Sequence, residues 1–204
     1  MLDSALRPLI DVPLNAVGRR MSAAGISANA VTVAGFAIGI GAVPAMVLEL
    51  GWAALGCLAL NRMADGLDGA IARVRGPSDL GGYLDIVLDF IFYSAVVFGA
   101  GLARPDQAIW AAFLIFSFVG TGASFLGFAI VAEKRGIKTE AQGRKTIFYI
   151  GGLAEGTETI IALAILTVRP DWLPWVAGIF GAMCWITTAF RIGEGVRVFS
   201  GNQT

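Results

Sequence analysis

Long apolar runs, each ended by a short polar or turn-forming stretch, organise the chain from its thirtieth residue onward. A bilayer core about 30 Å thick takes about 20 residues of helix to cross. Six stretches are long enough, near 30–49, 51–73, 81–103, 108–132, 147–168 and 174–198. The breaks between them carry turn or charge signals: Glu49-Leu50-Gly51, Arg75-Gly76-Pro77-Ser78-Asp79, Arg104-Pro105-Asp106, the polar run Glu133 to Lys145, and Arg169-Pro170-Asp171. Ahead of the first run, Leu2 to Ala24 sets Leu6, Leu9, Ile10, Val17 and Met21 among Arg7, Asp11, Arg19 and Arg20. That pattern predicts a helix lying along the membrane surface, with a break at Pro8 or Pro13. Ser27 is placed to cap the first membrane helix. No repeat or low-complexity linker interrupts the chain, so residues 1–204 read as one domain, with 1–29 as its juxtamembrane segment. The expected fold is an all-α integral membrane protein, six transmembrane helices preceded by a cytoplasmic juxtamembrane amphipathic helix.

Composition narrows the function classes. With 56% hydrophobic and 15% charged residues and a mean hydropathy of +0.74, the sequence is too apolar for a soluble domain of its length. A formal net charge of zero gives no field to attract nucleic acid. There is no histidine, which removes that side chain as metal ligand, general base or phosphoryl carrier. Cys57 and Cys184 lie in apolar runs without metal-ligand spacing, and the first thirty residues contain no continuous apolar core of a signal peptide.

Charge position sets an orientation. With the spans alternated across the bilayer, Arg7, Arg19, Arg20, Arg73, Arg75, Lys134, Arg135, Lys138, Arg144, Lys145, Arg191 and Arg197 fall at or near one face, and only Arg104 and Arg169 at the other. The basic face is expected to be cytoplasmic, with both termini on it. Trp52, Trp110, Trp172 and Trp175 land at the opposite helix ends, where indole rings favour the headgroup region.

Charged side chains inside a span are costly and are functional suspects by default. Asp65 and Asp68 stand i, i+3 near the cytoplasmic end of the second span, and Asp85 and Asp89 stand i, i+4 near the start of the third. Each pair occupies one helical face, and a short loop lets the two faces meet. Carboxylates crowded in a low-dielectric pocket repel one another unless cations balance them. Oxygen ligands with neither histidine nor cysteine favour magnesium, manganese or calcium, and four carboxylates suffice for a two-metal site. Gly66, Gly69, Ala70 and Ala72 clear side-chain bulk beside the acids, leaving a slot for a flat base or a diphosphate, with Arg73 at its rim to meet phosphate oxygens.

Asp65-Gly66-Leu67-Asp68-Gly69-Ala70-Ile71-Ala72-Arg73, followed by Gly81-Gly82-Tyr83-Leu84-Asp85-Ile86-Val87-Leu88-Asp89, resembles the signature of the CDP-alcohol phosphotransferase family, D-x2-D-G-x2-A-R, a spacer, then G-x3-D-x3-D. Every fixed position is filled, and the spacer, Val74 to Leu80, is slightly shorter than is common in the family. The resemblance implies an enzyme that moves a substituted phosphate group from a CDP-alcohol to a hydroxyl and releases CMP in phospholipid biosynthesis, with phosphatidyl from CDP-diacylglycerol as the favoured group. It implies metal ligands at Asp65, Asp68 and Asp85. Asp89 would complete the metal site and act as general base. CDP would be contacted by Asp65, Asp68, Gly69, Ala72 and Arg73, with Gly81 allowing close helix approach. A homodimer follows from the same resemblance, while the carboxylate set calls for two magnesium or manganese ions and the basic face turns the site to the cytoplasm, in the cytoplasmic or inner membrane among membrane lipids.

The acceptor is less legible. Asn29 and Thr32 weakly resemble the P-N-x-x-T motif of the family's first membrane helix, with Ala28 in the proline position. Gly143-Arg144-Lys145-Thr146 resembles the basic turn beside the acceptor pocket in several members, so Arg144 and Lys145, with Arg191 deep in the sixth span, are the acceptor candidates. Arg62, one turn before Asp65, reads as a counter-ion to the acids in preference to an acceptor ligand. Glu155 and Glu158 are the remaining intramembrane acids. Two rival readings are an aminoalcohol phosphotransferase joining CDP-choline or CDP-ethanolamine to diacylglycerol, and, more distantly, a transporter.

Overall fold

The computed structural model describes residues 3–137 and 153–200, with side chains from Pro13 onward. Eight α-helices form it: α1 (Asp3–Ala23), α2 (Ala28–Ile40), α3 (Ala42–Val47), α4 (Gly51–Arg75), α5 (Asp79–Ala103), α6 (Ala108–Lys134), α7 (Gly156–Val168) and α8 (Leu173–Ser200). Single 3-10 turns, Pro105–Gln107 and Pro170–Trp172, lead into α6 and α8. Each has proline at its first position, where a missing N–H costs nothing.

Three expectations are corrected. The first membrane helix is not continuous over 30–49: it is split at Gly41, whose N–H bonds Ile38 O in a tightened turn. Pro44, in the first turn of α3, has no N–H to offer Ile40 O, so the ladder cannot run straight through. Helix α1 shows no break at Pro8 or Pro13. Its second half is held against α4, with Gly18 over Ala70 and Leu14 over Gly66, and these contacts offset the lost backbone bonds. The fifth helix begins at Gly156, after non-helical residues 153–155, and 147–152 lie outside the described residues. Thr187 Oγ of α8 accepts the N–H groups of Leu153 and Ala154, satisfying backbone that a helix would have satisfied internally. Elsewhere the boundaries read from the pattern fall within two residues of those found.

The core lies where α3, α4, α5, α6, α7 and α8 meet, around Met46, Leu58, Phe92, Val96, Leu114, Leu163, Leu166 and Ala177. Helix α2 packs on both α4 and α5, α1 on α4, and α6 on α5 and α8. The outer faces are apolar: Trp52 is 77% exposed, Trp175 73% and Ile109 74%. Large exposed apolar surface fits lipid surroundings and not water. The segments Ala28–Val47, Asp79–Ala103, Pro105–Lys134 and Pro170–Ser200 are each long and apolar enough to cross a membrane.

Candidate active site

The four aspartates stand in the halves of α4 and α5 nearest the loop that joins them. Only Gly76, Pro77 and Ser78 separate the two helices. Gly76 takes φ +93° and ψ 140°, a conformation open to glycine and closed to residues with a Cβ. Ser78 then caps α5, its hydroxyl accepting the Gly81 N–H at 3.1 Å. This tight connection turns the chain back so that the acidic faces of both helices meet.

Oxygens of Asp65, Asp68 and Asp85 lie within 4.8 Å of one another. Asp68 is buried and Asp85 exposed, so the group opens on one side. Thr32 of α2 donates its hydroxyl to Asp68 Oδ2 at 2.5 Å, which makes the weakly matched Thr32 part of the site. Asn29 also borders it: a Cβ on Gly81 would stand 3.1 Å from Asn29 Oδ1, so the absence of a side chain at Gly81 allows α5 to approach α2. Three converging carboxylates, joined by a hydroxyl, are a donor set of hard oxygens, and these residues fit a divalent cation.

Asp89 falls outside that group of three. Its Oδ1 accepts Arg62 Nη2 at 2.5 Å, and its Oδ2 accepts both Arg62 Nη1 at 3.2 Å and the Tyr93 hydroxyl at 2.7 Å. Arg62 also stands 3.6 Å from Asp65 Oδ2, so the counter-ion role read for it is the one found. Asn61 and Tyr93, which complete this network, escaped the sequence reading. The available signal was position: Asn61 and Tyr93 lie within one turn of the acids, at i−4 to Asp65 and i+4 to Asp89.

On the rim, Arg73 donates through Nε and Nη2 to Asn15 Oδ1 of α1, at 3.1 and 2.9 Å. A Cβ on Gly69 would stand 3.5 Å from Arg73 Nη1, so the guanidinium lies across the surface that Gly69 leaves bare. Ala72 is half-buried on the same helix. Arg75 extends the hold on α1, reaching Ser22 Oγ at 3.0 Å and Ser22 O at 2.6 Å.

The acceptor candidates divide. Arg144 and Lys145 lie outside the described residues. Arg191 donates to Thr121 O at 3.2 Å and stands over the Phe125 ring, at the edge of a cavity of about 470 Å³ lined, among the described residues, by α6 and α8. Neither α4 nor α5 contributes to that cavity, so Arg191 is not brought against the acids within it. Glu155 is the N-cap of α7 and Glu158 stands in its first turn, with Oε2 buried and unpaired among the described residues.

The model of the CDP-alcohol phosphatidyltransferase family matches residues 26–192, most of the chain and the whole acidic cluster. The chain belongs to the CDP-alcohol phosphatidyltransferase family. It is 48% identical over 198 residues to the Escherichia coli inner membrane protein YnjF, a match covering 96% of this chain and 95% of that one. It is 31% identical over 195 residues to the archaetidylinositol phosphate synthase of Pyrococcus horikoshii, covering 94% and 95%. Among solved structures, the Mycobacterium tuberculosis phosphatidylinositol phosphate synthase with CDP-DAG bound superposes with a TM-score of 0.71 at 21% identity, covering 90% of this chain and 93% of that one. The same synthase in complex with manganese and citrate gives 0.65 at 22% identity, with 89% and 88% covered. The chain is therefore an integral membrane enzyme of a family whose members transfer a substituted phosphate group, and its aspartate cluster is where a metal can bind.

Proposed function

We propose that this enzyme transfers phosphatidyl from CDP-diacylglycerol to a hydroxyl of a phosphorylated polyol, with inositol phosphate the first acceptor to test, and releases CMP. The observation that carries this reading is the convergence of Asp65, Asp68 and Asp85 oxygens beside the bare face of Gly69 and Ala72, with Arg73 at its edge. Such a site suits a diphosphate approaching along α4. The archaetidylinositol phosphate synthase, similar along almost the whole chain, supports the acceptor class.

In this reading Asp65, Asp68 and Asp85 hold magnesium or manganese, and Asp89 is kept for the proton of the acceptor. The metal supplies charge to stabilise the departing CMP. Arg73 meets diphosphate oxygens, and Gly69 and Ala72 let the nucleotide lie against the helix. Asp89 takes the proton of the acceptor hydroxyl as its oxygen bonds to phosphorus and the bond from phosphorus to the CMP oxygen breaks. Arg144, Lys145 and Arg191 recognise the acceptor phosphate.

The reading places six spans in the bilayer. Helix α4 crosses despite its acids, which stand in the half of it nearest the loop to α5, and α7 supplies the fifth span. Residues 1–204 form a single unit, α1 lies on the cytoplasmic surface, and the acids and both termini face the cytoplasm, where the charged nucleotide is. Two copies associate, as the family resemblance implies.

Purified protein supplied with CDP-diacylglycerol and a panel of alcohols, among them inositol phosphate, glycerol phosphate and serine, is expected to release CMP with a phosphorylated polyol. Release with serine alone would refute the acceptor class. Absence of release with every alcohol, alongside turnover of CDP-choline with diacylglycerol, would replace the reading by the aminoalcohol one.

A further inference from the structure

Arg62 is the most constrained charged side chain near the acids. Its guanidinium stands over the Phe92 ring at 5.3 Å and the Tyr93 ring at 5.2 Å. Its Nε and Nη2 also donate to Asn61 Oδ1, at 2.8 and 2.5 Å. Asn61 is fixed in turn, its amide donating to Gly35 O of α2 at 3.1 Å. The Asn61 side chain and the Phe92 ring both press on Gly39, where a Cβ would come 3.0 Å from Asn61 Nδ2 and 2.8 Å from the ring. With 17% of its side chain exposed, Arg62 is locked in one orientation by three helices. A side chain serving only as a neutralising charge needs no such frame.

The frame governs Asp89. A carboxylate oxygen has two lone pairs in the plane. Those of Oδ2 are both engaged, by Arg62 Nη1 and by the Tyr93 hydroxyl, while among the described residues Oδ1 accepts from Arg62 Nη2 alone. We infer that Arg62 and Tyr93 are positioning residues that hold the Asp89 carboxylate so that Oδ1 alone receives the acceptor's proton. This rests on the reading of Asp89 as the base. In the step, the acceptor O–H bond breaks with its proton passing to Oδ1, the new O–P bond forms, and the P–O bond to CMP breaks. The fork of an arginine fixes both carboxylate oxygens in one plane, and a lysine in its place supplies the charge without the plane.

The test compares Asp89→Asn, Arg62→Lys, Arg62→Gln and Tyr93→Phe by CMP release from CDP-diacylglycerol with inositol phosphate. A well-placed base contributes roughly 10²- to 10⁴-fold. The expected result is a fall in kcat of about 100-fold for Arg62→Gln, at least about 10-fold for Arg62→Lys and about 10-fold for Tyr93→Phe, with KM for CDP-diacylglycerol within about threefold of the starting protein. Near-native kcat in Arg62→Lys and Tyr93→Phe, beside an inactive Asp89→Asn, would overturn the positioning roles while leaving the base in place. Near-native turnover in Asp89→Asn would instead overturn the base. An infrared measurement needs no turnover: the carboxylate stretch lost in Asp89→Asn is expected to shift in Tyr93→Phe and in Arg62→Lys, and a band that stays put in both would refute the geometry.

Discussion

Arg73, at the C-terminal end of the α4 motif, is gripped by Asn15 of α1 through two adjacent guanidinium nitrogens, at 3.1 and 2.9 Å. The leading helix is thereby joined to the residue assigned to the diphosphate, and Asn15 fixes how that guanidinium lies over Gly69. Removing one hydrogen bond of this kind costs about 1 kcal/mol, roughly a fivefold change in affinity. Asn15→Ala is expected to raise KM for the CDP-alcohol by about that factor with kcat little altered, as steady-state CMP release will read.

Thr32→Val keeps the shape of the side chain and deletes the hydroxyl that donates to Asp68. Partners that orient a ligating carboxylate are worth about 10- to 100-fold in metal affinity. Manganese titration followed by electron paramagnetic resonance is expected to show weakened binding in that range, with the thermal midpoint little changed.

Cations are expected to be indispensable. Oxygens of Asp65, Asp68 and Asp85 converge within 4.8 Å of one another, and a divalent cation offsets the repulsion of carboxylates so crowded. Excess EDTA is expected to stop CMP release, and added magnesium or manganese to restore it. Full turnover in chelator would remove the metal from the reaction.

Gly39→Val tests the packing behind Asn61. A Cβ there meets the Phe92 ring and the Asn61 amide at or below 3.0 Å, and both are fixed by neighbours. Overpacking of this kind costs about 1–3 kcal/mol. A lowered melting temperature in detergent is the expected outcome, with activity falling further than stability because the displaced amide holds Arg62.

Topology is checked with single cysteines at Asp79 and Asp106, both exposed and at opposite ends of α5, in a background lacking Cys57 and Cys184. In sealed right-side-out vesicles a membrane-impermeant thiol reagent is expected to reach position 106 and to miss position 79 until the vesicles are opened. The reverse pattern would invert the orientation proposed for the site.

What the sequence disclosed follows from how local each signal is. Apolar runs of helical length, the prolines that open the turns before α6 and α8, and two acid pairs at i, i+3 and i, i+4 are all written within single helices. The meeting of those acids was legible because three residues separate the helices that carry them. The hold of Arg62 and Tyr93 on Asp89 was not, since it depends on the rotation of α4 against α5, which packing decides. The early start of non-helical chain before Gly156 was hidden in the same way: Thr187, thirty-three and thirty-four residues downstream, supplies the acceptor for that backbone. At Gly41 a proline three residues later did carry the signal, masked by a run of apolar residues on both sides.

The three-residue link at Gly76 also bears on how the protein is made. All the side chains named around the acids, from Asn15 to Tyr93, belong to the first half of the chain. They leave the ribosome before α6, α7 and α8 exist. An unpaired charge at mid-membrane costs about 2.5–3.5 kcal/mol on insertion scales. A hairpin of α4 and α5 that closes at Gly76 brings Arg62 against Asp89 at once, so part of that cost is cancelled while the remaining helices are still being synthesised.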